Sequence, residues 1–241
     1  MALIRIDKLL SDMGIATRSE LRQIVRSGRV SMDGQTVTQP EAKLDPERSR
    51  VSLDGRELQY RQYRYYMMDK PAGVLTATED SRQKTVLDLT SAEMRRMGLF
   101  PVGRLDKDTS GFLLLTNDGE FSHKIISPKS GIMKLYYAKV DGTPDTRDCE
   151  AFEAGIILGD GTKCMPAKLE LLGGNECLVT VAEGKYHQVK RMLASRGKPV
   201  TELRRIAVGG LRLDESLGAG GYRELDKNDL CSLFNGDFID N

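Results

Sequence analysis

Apolar residues recur at helical spacing in RIDKLLSDMG, where Leu9, Leu10 and Met13 fall together. Thr17-Arg18-Ser19-Glu20 then has the form of a capping box, with the Thr17 hydroxyl placed to accept from the Glu20 amide. Leu21, Ile24 and Val25 continue as the apolar face of a second helix that ends at Ser27-Gly28. The period then changes. Arg29-Val30-Ser31-Met32 alternates as a short strand entering the turn Asp33-Gly34, and Val51-Ser52-Leu53 repeats the pattern into Asp54-Gly55. The expectation is a helix-helix-strand-strand domain over residues 1–60, with a linker in the polar and aromatic stretch 57–66.

Residues 61–241 read as a second domain that alternates strands and helices without an internal repeat. Strands are expected at Tyr65–Met68, Gly111–Thr116, Leu135–Val140 and Cys177–Val181. Helices are expected at Glu120–Ile126, Arg147–Ala154, Tyr186–Arg196 and Lys227–Phe234. Composition adds exclusions. Of 241 residues, 39% are hydrophobic and 29% charged, which argues against disorder. No run approaches the ~20 apolar residues of a membrane span, and the N-terminus lacks the apolar core of a signal peptide, so a cytoplasmic location is expected. Four scattered cysteines (Cys149, Cys164, Cys177, Cys231) and two histidines make a Cys/His metal site a poor reading and reduced thiols the better one. No phosphate loop or GxGxxG supports a nucleotide cofactor.

Net charge is near zero, with 36 Lys+Arg against 35 Asp+Glu, but its distribution is uneven. Arg18, Arg22, Arg26 and Arg29 step by three and four residues and line one stripe of the second helix. Such a stripe is either a solvated face or a phosphate-binding surface. With the IRIDKLL start and the V-x-M-D-G-Q hairpin, this segment resembles the small RNA-binding module named after small-subunit ribosomal protein four. In that family the second helix and hairpin present a basic surface to structured RNA.

The densest polar stretch is Gly103-Arg104-Leu105-Asp106-Lys107-Asp108-Thr109-Ser110-Gly111, opening directly into the apolar strand Phe112–Leu115. A scaffold can hold a charged group rigidly at such a junction. Asp106 and Asp108 form a candidate carboxylate pair, although spacing alone fixes no geometry. On a helix at ~100° per residue, His187, Lys190 and Arg191 share one side and Val189, Met192 and Leu193 the other. Arg196, Lys198, Arg204 and Arg205 extend that basic side, and two separated basic patches suit an extended polyanion. Tyr136, in KLYYAKV, is either sheet core or a stacking platform for an extruded base. Lys70, in Asp69-Lys70-Pro71-Ala72-Gly73, is open between a turn role and a substrate contact, while His123 and His187 read as structural.

DKPAGVLT (69–76), FPVGRLDKDTSGFLLLTNDGEFSHKI (100–125), KLYYAKV (134–140), EGKYHQVKRML (183–193) and ELRRIAVGGLRL (202–213) occur in the order of one family. Together they resemble the RsuA family of ribosomal RNA pseudouridine synthases over essentially the whole chain. The resemblance implies an α+β catalytic domain on a long mixed, mainly antiparallel sheet with a central cleft. It implies that Asp106 is the essential carboxylate, Tyr136 the tyrosine stacked on the uracil and Lys190 the cation paired with the carboxylate. Arg104 then helps hold the displaced nucleotide, and Lys70, Arg191, Arg18, Arg22, Arg26 and Arg29 supply further substrate contacts. The implied partner is 16S ribosomal RNA or an assembling small subunit, the implied target uridine 516, and a monomer without cofactor or metal is expected. Three readings compete: a large-subunit rRNA synthase, a non-catalytic rRNA-binding assembly factor, and a glycosidase in which water captures the sugar.

Overall fold

The computed structural model describes residues 3–235, which group into two compact units. One is the chain through Arg64 joined by Leu87–Phe100; the other is Tyr65–Val86 with Pro101 onward. The expected division was a single break after residue 60.

The first unit contains β1 (Ile4–Arg5), α1 (Ile6–Asp12), α2 (Arg18–Arg26), β2 (Val30–Met32), β3 (Gln35–Val37), β4 (Lys43–Leu44), β5 (Val51–Leu53) and β6 (Arg56–Leu58). Leu9, Leu10, Leu21 and Val25 are buried with Ile6, Val30 and Val51, so the apolar faces of both helices close on the strands. The capping box forms: Thr17 Oγ1 accepts from the Glu20 amide, and Thr17 N donates to Glu20 Oε2 at 2.8 Å. The two expected strands are each one arm of a hairpin, in a four-stranded antiparallel order β3-β2-β5-β6. Asp33 and Asp54 take φ of 52° and 50° ahead of glycines also at positive φ, the backbone a tight type I′ hairpin requires. The partner arms, Gln-Thr-Val and Arg-Glu-Leu, are short and largely exposed, so no alternation marks them. Because β6 uses Arg56–Leu58, part of the expected linker is strand. The short helix α3 (Ala92–Arg96) joins this unit, where Arg96 Nε donates to Gly14 O at 2.8 Å.

The second unit contains β7 (Tyr65–Lys70), β8 (Phe100–Pro101), β9 (Ser110–Thr116), α4 (Gly119–Ile126), β10 (Lys134–Val140) and α5 (Thr146–Ala154). It continues through β11 (Lys168–Gly173), β12 (Glu176–Val181), α6 (Gln188–Ser195), β13 (Val200–Val208), β14 (Leu211–Arg212), β15 (Tyr222–Glu224) and α7 (Lys227–Ser232). The nine-stranded sheet runs β11-β12-β10-β13-β9-β7-β15, with β8 and β14 completing the count. Along that path only β13 and β9 pair parallel. The expected mixed, mainly antiparallel α+β architecture is therefore present. Phe152 of α5 and Met192 and Leu193 of α6 are wholly buried in a core with Val179 and Leu203. Phe121 and Ile125 of α4 join a second core with Met67, Phe112 and Val208. Each fully buried aliphatic or aromatic side chain contributes about 1.5–3 kcal/mol of transfer free energy.

Strand β13 was expected to extend a basic surface, and the structure corrects this. Arg204 makes a two-pronged ion pair with the buried Asp69 (3.0 and 2.8 Å), and Arg205 is itself buried, its Nε donating to Phe112 O at 2.7 Å. An alternating strand sends neighbouring arginines to opposite faces, so these two cannot form one solvent-facing patch. The parallel contact is tight: Gly111 has φ +100°, and a Cβ there would lie 2.2 Å from Arg205 O.

Lys70 also departs from expectation. It is wholly buried, and its Nζ lies within hydrogen-bond reach of four carbonyls: Pro71 (3.0 Å), Asp106 (3.1 Å), Lys107 (3.3 Å) and Thr109 (2.8 Å). A side chain enclosed this way contacts the chain's own loop and not a substrate. Burial pushes its pKa down to about 8, with Asp108 and Asp106 opposing that shift. Thr76 Oγ1 ties the same loop by donating to Leu105 O at 2.7 Å. Lys70→Met should therefore lower stability by about 3 kcal/mol in urea unfolding, since several buried acceptors lose their donor together. A loss under about 1 kcal/mol would show that the loop does not depend on the ammonium.

Candidate active site

The loop 105–109 ends where β9 begins, and Lys70 beneath it leaves the Asp106 carboxylate at the surface of a hollow of ≈ 430 Å³. Asp106, Tyr136, Arg104 and His187 all line that hollow. The Asp106 side chain is 28% exposed, neither sealed in hydrocarbon nor open to bulk water. Lys190 Nζ lies 3.1 Å from Asp106 Oδ2 and 2.5 Å from Asp108 Oδ1. The two aspartates thus share one cation and do not flank a bond as a glycosidase pair would. Burial alone would lower the Lys190 pKa; the hydrogen bonds to Asp108 and Asp106 outweigh it and raise the value. The bond to Lys190 holds Asp108 below the usual carboxylate range.

Sequence reasoning missed His187, whose Nε2 stands 3.4 Å from Asp106 Oδ1. The expected helix from Tyr186 instead starts at Gln188, and His187 caps it in the left-handed region, at φ 49°. Such backbone is uncommon for a residue other than glycine and concentrates at functional sites. Its signal in the sequence is thin: a histidine just before a basic helix, two residues after a lysine. Tyr186, 75% exposed, stacks on the His187 ring with centroids 3.9 Å apart. Glu183 fixes this corner, its Oε1 accepting from Met165 N (2.8 Å) and Gln188 Nε2 (3.0 Å).

Tyr136, half-buried on β10, packs against the core that α6 shares and turns toward the hollow. Arg104 is exposed and has no side-chain hydrogen bond or ion pair among the described residues. Arg191 does not join the carboxylate group: it pairs with Asp160 at 2.5 Å and so braces a neighbouring loop. Thr109, buried behind Asp106, has a hydroxyl with no partner among the described residues. In the first unit Arg18, Arg22 and Arg26 are exposed, and Arg18 and Arg22 line a depression of ≈ 680 Å³ between α1 and α2. Arg29 is partly neutralised by a two-pronged ion pair with Asp54 (2.8 and 2.6 Å). Among the described residues no group of His, Cys, Asp and Glu is placed to hold a metal ion, and no helix is long and apolar enough to cross a membrane.

The site offers a fixed, ion-paired carboxylate beside an aromatic face and a free guanidinium. Comparison with known proteins identifies the family. A family model for RNA pseudouridylate synthase matches residues 64–195, and one for the S4 domain matches residues 4–48. The chain is 42% identical to an uncharacterized RNA pseudouridine synthase of Bacillus subtilis (strain 168), over 95% of its own length and 98% of that protein. It is 40% identical to the ribosomal small subunit pseudouridine synthase A of Vibrio cholerae, over 96% and 100%. It is 37% identical to the protein of that name from Escherichia coli (strain K12), over 95% and 100%. A crystal structure of a pseudouridylate synthase superposes with a TM-score of 0.68 at 33% identity, covering 95% of this chain and 99% of the other. With an N-terminal S4 domain ahead of this sheet and carboxylate site, the chain belongs to the RNA pseudouridylate synthase family.

Proposed function

We propose that this protein converts one uridine of 16S ribosomal RNA to pseudouridine, with uridine 516 as the target, and that Asp106 carries the reaction. The observation behind this reading is the Asp106–Lys190 pair in a half-buried hollow lined by Tyr136. In the isomerisation the N1–C1′ bond breaks, the base turns, C5–C1′ forms, C5 loses its proton and N1 gains one. No electrons and no group leave the substrate. Attack of the carboxylate at C1′, attack at C6 and loss of a ribose proton to a glycal all begin from ionised Asp106. A cation in contact with the carboxylate offsets the desolvation that substrate imposes. Tyr136 supplies a face for the uracil, and Arg104, without a side-chain partner among the described residues, suits the displaced nucleotide's backbone. The uridine must leave its stack, at a cost of a few kcal/mol that contacts from the basic surfaces offset. The names of the Vibrio and Escherichia relatives favour the small subunit over the large.

Asp106→Asn should abolish tritium release from C5-tritiated uridine in 16S rRNA while RNA affinity changes less than about threefold; retained turnover would remove the proposed mechanism. Absence of release from the wild type would favour a pure binder, and free uracil among the products a glycosidase. Lys190→Ala should slow turnover by about 10²-fold or more, as expected when a transition-state charge partner is removed. In the same variant Asp108 should titrate at higher pH than in the wild type, by carboxyl NMR, because Lys190 is what depresses it. The sign follows from linkage: the pair's contribution is present above the ordinary Asp value and is lost as pH falls through the depressed one. An unmoved Asp108 titration would contradict the pairing.

Arg18→Glu with Arg22→Glu should weaken 16S rRNA binding and flatten its log–log salt dependence by about 0.7 or more for each phosphate left without its arginine. An unchanged slope would assign the first unit another role.

A further inference from the structure

Behind Tyr136 and Arg104 lies a second hollow, of ≈ 540 Å³, which shares those two residues, with Glu183 and Gly184, with the Asp106 hollow. Strands β9 and β13 give it an apolar floor. Two buried cations line it. Lys134, 8% exposed, donates to Ile132 O at 2.7 Å and lies 3.4 Å from Ala182 O. Arg205, 6% exposed, commits Nε to Phe112 O, and its side chain has no further hydrogen bond among the described residues. Neither has a carboxylate partner among those residues, unlike the buried Asp69, Asp148 and Glu183, each of which meets a cation. Glu183 borders the hollow, but its oxygens are held by Met165 N, Gln188 Nε2 and Lys185.

Burying a charge is costly unless it is paired, and two like charges in one wall add repulsion. We propose that this hollow is a phosphodiester subsite, receiving the RNA backbone adjacent to the nucleotide held over Tyr136, with Lys134 and Arg205 as its buried anion-binding groups. The inference rests on the Asp106 hollow being the uridine site, because the shared wall then makes the next backbone phosphate the nearest anion. Burial, and then Arg205, push the Lys134 pKa down to about 8, a deficit that no carboxylate among the described residues offsets. A bound phosphodiester monoanion removes that deficit. The apolar floor suits the ribose that accompanies it, and the free guanidinium of Arg104 stands where both hollows meet.

The test compares wild type, Lys134→Met and Lys134→Arg for binding of a 16S rRNA transcript across a salt series. Lys134→Met should bind about tenfold more weakly at physiological salt, with a log–log slope lower by about 0.7; Lys134→Arg should keep the wild-type slope. Lys134→Gln, which retains a donor for the Ile132 and Ala182 carbonyls, gives the same reading if Lys134→Met does not fold. Equal slopes for all folded variants would overturn the subsite. So would weaker binding of inorganic phosphate by Lys134→Met with no change on RNA, which would make the ligand a free anion. Tritium release by the wild type is read in parallel. Its absence counts against the uridine reading, whereas unchanged slopes with an active wild type count against the subsite alone.

Discussion

A carboxylate that must stay ionised as substrate displaces its water needs a cation, and that cation must be fixed or it will follow the solvent. Here the cation is Lys190, anchored by a helix whose opposite face, through Met192 and Leu193, is wholly buried. The carboxylate is fixed from the other side. Lys70 gathers the carbonyls of residues 106, 107 and 109, and Thr76 takes that of Leu105. One buried ammonium shapes the loop and a second, largely buried one meets the carboxylate it presents. The parallel junction of β9 and β13, close enough that only glycine fits at position 111, holds the strand that leaves this loop beside the strand of Arg204 and Arg205.

Basic residues in this chain consequently do three different kinds of work, and sequence alone sorts them poorly. Lys70, Arg204 and Arg191 stand in motifs dense with charge, yet each is spent on the protein itself: on loop carbonyls, on Asp69 and on Asp160. Lys134 and Arg205 are buried without a carboxylate partner among the described residues. Arg18, Arg22, Arg26 and Arg104 face solvent. The phosphate-binding surface proposed above draws on the last two sets, and only burial and partner distances separate them from the first.

What could be read in advance was what local chemistry dictates. The Thr17–Glu20 capping box, the Asp-Gly turns and the long apolar strands at Phe112–Leu115 and Leu135–Val140 each follow from residue type and period. The short strands Gln35–Val37 and Arg56–Leu58 did not show, because three residues, two of them exposed, carry no period and their pairing is set by the neighbouring hairpin arm. His187 escaped for a different reason. A helical wheel placed it beside Lys190, but its approach to Asp106 depends on a left-handed backbone at the cap and on a partner far away in the chain. The excursion Leu87–Phe100 into the first unit is likewise a tertiary fact with no local mark.

The central claim is that an ionised Asp106, held by Lys190, isomerises one uridine of small-subunit RNA. Its most direct test is to map pseudouridine in 16S rRNA from cells lacking this protein and from the same cells given back the wild type or the Asp106→Asn form. One position should lose its pseudouridine on deletion, regain it with the wild type and remain uridine with the variant. An unchanged map on deletion, or full restoration by the variant, would contradict the account.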